Sequence, residues 1–148
     1  MDVEIGAKDQ NRIYNFWISG HLSDNHIIKI FDVNAYDLRE YINKEVDLLI
    51  IANLIVLLEE NASDFNVDFD SKVFNGKFLG EYRFPQEWIK FGNFGYINRC
   101  LKKQWYALEY GDGIFLLDPQ DLQEYSLRRG ENIVIDVGRF DLVAWRRD

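Results

Sequence analysis

Side chains of a chemically useful kind crowd together in one stretch, RFPQEWIKFGNFGYINRCLKKQW, residues 83–105. Arg83, Lys90, Arg99, Lys102 and Lys103 stand against a single acid, Glu87, and Phe84, Trp88, Phe91, Phe94, Tyr96 and Trp105 are interleaved with them. Flat aromatic faces beside cations are what single-stranded nucleic acid recognition uses, through base stacking and phosphate contacts. The same side chains suit a protein contact or a small ligand. Packing is the stronger account of the aromatic residues, because Trp88 and Phe91 stand three apart on an expected helix, as a face closing a barrel end would. Lys102 and Lys103 would then solvate a loop. The candidate binding set is Arg83, Trp88, Lys90, Phe91, Arg99, Lys102, Lys103 and Trp105.

The remaining candidates for chemistry are sparse. Cys100 is the one cysteine, so it forms neither an internal disulfide nor a thiolate metal cage, and nothing in the spacing pairs it with a histidine as a nucleophile would need. His21 and His26 are five apart across an expected solvated loop between strands. DFNVDFD, residues 64–70, offers Asp64, Asp68 and Asp70 as hard oxygen donors but lacks the glycine and closing glutamate of a calcium loop. It reads instead as a charged edge strand, with Phe65, Val67 and Phe69 inward and the aspartates outward to discourage edge pairing. Phosphate-binding glycine loops, nucleophile elbows and zinc-protease helices have no match in the chain. No catalytic residue, metal ligand or cofactor is assigned, and an enzyme is disfavoured.

Charge narrows the partners. The formal net charge is −8, which opposes loose binding to nucleic acid phosphates or anionic membranes. Residues 1–74 carry all of that excess, with 6 basic against 14 acidic side chains, while residues 75–148 are balanced at 11 of each. A protein partner or a second copy of the chain is therefore the expected partner. MDVEIGAKDQ has no signal-peptide pattern, and the longest apolar run, LLIIANLIVLL at 48–58, falls short of the ~20 residues a spanning helix needs. A soluble, cytoplasmic protein without membrane contact is expected.

The elements that must position these residues follow from a repeat. DLREY at 37–41 returns as DLQEY at 121–125. With a shift of 84 and about three residues of slip, EVDLLIIANLIVLL (45–58) lies over NIVIDVGRFDLVAW (132–145), and HIIKIFDVNAY (26–36) lies over GIFLLDPQ (113–120). Each copy reads as strand, short helix, strand, turn, strand. Alternation supports the strands: Val46, Leu48 and Ile50 share one face, as do Ile133, Ile135 and Val137. The run 48–60 does not declare its period, but β-branched Ile50, Ile51, Ile55 and Val56 favour a strand over a buried helix. YALEYGDGIFLL (106–117) reads as a hairpin on a glycine turn, and YNFWIS (14–19) is its counterpart strand. GKFLGEYRF (76–84) is a further strand. Pro85 opens a helix that Gly92 and Gly95 end.

The repeated word itself needs no chemistry. Asp118 is the expected cap, Pro119 the first helical residue and Asp121 the third, with Asn34, Ala35 and Asp37 in those places in the first copy. Leu38 with Tyr41, and Leu122 with Tyr125, then close over the sheet, leaving Glu40 and Glu124 to solvent.

Residues 106–145 resemble the swapped-hairpin repeat of AbrB-type transition-state regulators and MazE-type antitoxins, with a degenerate second copy near 14–58. The resemblance rests on Gly113-Ile114-Phe115-Leu116-Leu117, Pro119, Leu122, Leu127, Gly130 and Ile133. It implies a barrel that two such units build together, here within one chain as a pseudo-dimer. It does not carry DNA contacts over, because the hairpin offers Glu109 and Asp112 where that family's DNA-binding members are basic. The rival is an OB-like barrel of strands at 76–84, 104–110, 113–117, 132–137 and 140–146. The expected fold is mainly β, a small curved barrel with short helices, in one compact domain of two pseudo-repeats, about 12–70 and 76–148. The expected function is a non-enzymatic interaction module that presents the aromatic-basic segment and its acidic first half. The alternatives are an OB-type binder of single-stranded nucleic acid, and a small-ligand or enzymatic barrel.

Overall fold

Period-two alternation becomes strand over most of the chain in the computed structural model, which describes residues 1–22, 24–60 and 72–147. The strands are β1 (Asp2–Ile5), β2 (Lys8–Asp9), β3 (Arg12–Ile13), β4 (Phe16–His21), β5 (Ile27–Asp32), β6 (Asp47–Glu60), β7 (Val73–Tyr82), β8 (Trp105–Tyr110), β9 (Gly113–Leu117) and β10 (Asn132–Arg146). One α-helix, α1 (Phe94–Leu101), and 3-10 turns at Arg39–Tyr41, Gln86–Phe91 and Pro119–Leu122 complete the described elements. The run 48–60 is strand, as its β-branched residues require. The edge strand expected at 64–70 lies outside the described residues.

Two long strands organise the rest. β6 and β10 lie antiparallel from Ile133 opposite Glu60 to Arg146 opposite Asp47. The meander β1-β4-β5 flanks β10, where Ile30 runs parallel beside Phe140. The meander β7-β8-β9 flanks β6, where Leu116 runs parallel beside Ile51. Each long strand thus follows one meander in sequence and pairs beside the other. β7 also pairs with β10, Lys77 to Val73 opposite Asn132 to Asp136, and this closes β6-β9-β8-β7-β10 into a five-stranded barrel. The mainly β, barrel-forming fold read from the sequence is the fold observed.

Three local expectations are corrected. The strands 132–137 and 140–146 are one strand, so the OB-like set supplies four barrel strands and the fifth is β6, from earlier in the chain. Gly138 does not reverse the chain. A Cβ there would stand 2.6 Å from Leu54 Cβ, so glycine permits the close approach of β6 and β10, while register shifts at Val134/Ile135 and Leu142/Ala144 bend the pair. The helix after Pro85 is a 3-10 turn that stops at Gly92, and α1 starts afresh with Gly95 inside it. Asn93 makes this second start, its side chain accepting from Tyr96 N at 3.1 Å.

The repeated word folds much as its residue types demand. Leu38 and Leu122 are buried, Tyr41 packs against the core, and Glu40 and Glu124 are exposed, but Tyr125, expected over the sheet, is exposed as well. Asp118 caps by accepting from Gln120 N at 3.0 Å. In the first copy neither Asn34 nor any other side chain caps the 3-10 turn, which starts at Leu38; Asp32 instead braces the loop before it, its carboxylate accepting from Tyr36 N and Asp37 N, each at 3.0 Å. Ala35 and Asp37 adopt left-handed φ values of 50° and 63°, which rule out the regular first turn expected there. Burial pushes the Asp32 carboxyl above its ordinary range against the pull of those two donors.

Apolar side chains gather on both faces of the β6–β10 pair. Phe74, Phe78, Leu108, Phe115, Ile135 and Phe140 fill the barrel, continuous with Ile18, Ile28 and Ile30 of the first meander. On the opposite face Leu49, Ile51, Leu116, Val143 and Ala144 form a second core, covered by the segment between β7 and β8.

Candidate functional site

That covering segment is the aromatic-basic stretch 83–105, and the structure divides its residues. Trp88 (9% exposed) and Trp105 (2%) are built into the second core beside Ile97 and Cys100. Trp105 Nε1 donates to the Cys100 carbonyl at 2.8 Å. Phe91 is half-buried against the same core. Arg83, Lys90, Arg99, Lys102 and Lys103 are exposed around it. Several of the cations lie over rings of this segment: Lys90 over Phe91 at 5.1 Å, Arg99 over Tyr96 at 5.6 Å and Lys103 over Trp105 at 5.5 Å. Apart from Phe94, which is 80% exposed, the aromatic side chains are spent on packing, and what remains available is mainly a patch of positive charge. Burial pushes the Cys100 thiol up to about 11, so it stays protonated at neutral pH and is a poor nucleophile.

A second feature was not legible in the spacing. A cleft of about 1220 Å³ opens beside the first half of β6. Ile18, Ile28, Ile30, Leu48, Ile50 and Phe115 form its apolar floor, and Glu45, Asp47, Glu87, Glu109 and Asp112 stand around it, outnumbering Lys44 and Arg146 in the same lining. Asp47 is paired with Arg146 at 3.3 Å, and Arg146 also lies 4.5 Å from the Trp88 ring centroid. Among the described residues the other four carboxylates have no ion-pair partner. The cleft opens where the outer edge of β6 has no strand beside it, ahead of its pairing with β9. Asp118 N donates to Ala52 O at 3.3 Å and Ile55 N to the Asp121 carboxylate at 3.2 Å; ahead of the strand Asn43 N donates to Met1 O at 3.2 Å, and β9 joins at Ile51 and Ala52. Between Asn43 and Ile51, residues 47–50 pair with β10 alone. The outer edge of β10 is more fully occupied, by β7 opposite 132–136, by Lys72 O accepting from Val137 N at 2.9 Å, by β5 at Phe140 and Asp141, and by Gly92 opposite Ala144.

One end of the cleft carries a polar cluster. The Tyr110 hydroxyl donates to the Asp24 carboxylate and lies 2.9 Å from His26 Nδ1, which fits the Nδ1–H tautomer. His26 is not in a solvated loop as its spacing suggested. It is 2% exposed and stacked on Phe74 with ring centroids 4.3 Å apart, because the β4–β5 turn folds over the barrel mouth. His21 is exposed at the end of β4. Among the described residues no three His, Cys, Asp or Glu side chains converge as a metal site needs. No helix among them is long and apolar enough to cross a membrane.

Asp24 gives this cluster a pH signature. Partial burial pushes its carboxyl up, but the Tyr110 hydroxyl, the His26 backbone N–H and the His26 ring outweigh that and hold it below the ordinary range. A depressed carboxyl contributes stability above its unfolded pKa, about 4, and loses it as pH falls through the folded value. Asp24→Asn lacks that contribution. The stability gap between the native chain and Asp24→Asn, read by urea melts, is expected to narrow steadily as pH falls below about 4; a constant gap would mean the Asp24 contact is not linked to folding.

No protein-family model, curated protein or solved structure matches the chain.

Proposed function

We propose that this protein is a non-enzymatic interaction module that binds a polypeptide partner in the cleft beside β6. The observation that carries the reading is the combination of an apolar floor with four carboxylates that have no ion-pair partner among the described residues. Apolar floor supplies the burial that drives association, and unpaired rim charge selects the sign of what enters. The exposed Arg83, Lys90, Arg99 and Lys102 supply an oppositely charged face that orients the encounter. The arrangement of two meanders with exchanged long strands supports reading the chain as a duplicated unit, an intramolecular pseudo-dimer of the kind the swapped-hairpin resemblance implies.

Site-specific photo-crosslinking tests the binding surface. A benzoylphenylalanine replacing Ile114 at the cleft is expected to form polypeptide adducts in source cells, and the same group replacing Phe94, which is 80% exposed on α1, is expected to form none. Glu109→Lys with Asp112→Lys should remove the Ile114 adducts. Adducts to nucleic acid, or polypeptide adducts that survive the charge reversal, would overturn the reading.

A further inference from the structure

The cleft has an internal period that specifies its occupant. Along β6, Leu48 and Ile50 face the apolar interior with Ile18, Ile28 and Phe115. Asp47 and Leu49 face the other side, where Trp88 and Arg146 lie and Glu87 enters the cleft lining. The backbone edge of residues 47–50 has no strand on the cleft side, whereas the outer edge of β10 is paired at 132–137, at 140–141 and at Ala144 opposite Gly92. Unpaired strand edges in folded proteins are normally blunted or covered, and this one borders apolar surface.

We infer that the cleft takes one extended polypeptide strand, added to the free edge of β6, with apolar and cationic side chains in alternation. The inference rests on the preceding reading that the cleft is the binding surface. Main-chain hydrogen bonds to β6 supply affinity, and alternate side chains are read on two sides. Those pointing inward meet Ile18, Ile28 and Phe115 and must be apolar. Those pointing outward meet Glu87 and Asp47, the latter already paired with Arg146, and are favoured when cationic because Glu45, Glu109 and Asp112 outnumber Lys44 in the same lining. Residues 47–50 span roughly 13 Å at about 3.3 Å per residue, so the essential segment is four to five residues long.

The test uses the full chain and synthetic peptides, with binding followed by titration calorimetry. The probe is an acetylated, amidated heptapeptide alternating lysine and valine. It is expected to bind at least tenfold more tightly than its block isomer, with the lysines and valines segregated, and to weaken as salt rises. An alternating glutamate–valine peptide is expected not to bind. Backbone N-methylation discriminates further. In an added edge strand only every second amide faces β6, so methylating one alternate set of amides should abolish binding while methylating the other leaves it within a few-fold. Amide exchange in residues 47–50 should slow when the parent peptide binds. Equal binding of alternating and block peptides, or equal tolerance of both methylation patterns, overturns strand addition. If none of the peptides binds while the crosslink from position 114 still reports a charge-sensitive polypeptide partner, the strand inference fails and the cleft reading stands. Failure of both measurements removes both.

Discussion

Trp88→Ala is expected to destabilise the protein by about 3–5 kcal/mol, the range for truncating a large buried aromatic side chain. Trp88 touches the second core between the 3-10 turn at Gln86–Phe91 and the β6–β10 pair, and Arg146 caps its ring at 4.5 Å. Removing the indole leaves a cavity against Leu49, Val143 and Ala144, which strand pairing prevents from collapsing. A stacking platform would behave in the opposite way. An exposed tryptophan contributes about 1–3 kcal/mol per stacked base and costs little stability when removed. Urea melts separate the two, with a lower midpoint and an unchanged m-value as the expected result. Arg83→Ala and Lys102→Ala, on the exposed rim, should stay within about 0.5 kcal/mol of the native chain. A tryptophan variant as stable as they are would mean the segment is a displayed surface rather than a core lid.

The difference between those two behaviours marks what the sequence could express. Alternation placed β4, β5, β8 and β9 within a few residues, because a half-buried strand is written locally in its own side chains. The hairpin was legible for the same reason: Tyr110 pairs with Gly113 across a turn in which Gly111 has a φ of 56°. Packing as the stronger account of Trp88 was readable from its three-residue spacing to Phe91. The bracing of this loop by Asp32 leaves no local signal, because the positive φ values at Ala35 and Asp37 depend on how the whole turn is seated. The break expected between 137 and 140 falls at Gly138, where glycine serves reversals and close approaches alike, and only the crossing strand at Leu54 distinguishes them. The cleft was missed for a deeper reason. It arises where β6 and β9 pair over just two residues, and a register between strands more than 60 residues apart leaves no local trace. Its charge did leave one, in the acid excess of the first half and in Glu109 and Asp112 beside the glycine turn.

Phe74→Ala is expected to cost about 3–5 kcal/mol and to be felt in both halves of the chain. Phe74 sits at the centre of an aromatic cluster inside the barrel, with Tyr110, Phe115 and Phe140 at 5.2, 5.3 and 5.2 Å between ring centroids. On its remaining face lies His26, delivered by the β4–β5 turn of the other half. Truncation therefore removes the floor on which that turn rests as well as part of the barrel core. The loss unseats His26 from Phe74, and the Asp24–Tyr110 contact beside it loses its alignment. Phe74→Leu keeps most of the volume and should cost less, which separates the cavity from the lost ring stacking. Because Ile18, Ile28 and Ile30 share one continuous core with the barrel, unfolding should remain a single transition, coincident by near-UV and far-UV circular dichroism. Two separated transitions in Phe74→Ala would mean that the halves fold independently and that His26 merely rests on the barrel. One lowered transition would mean that the exchanged long strands make the two halves a single cooperative unit, so that a ring in β7 stabilises a turn 50 residues before it.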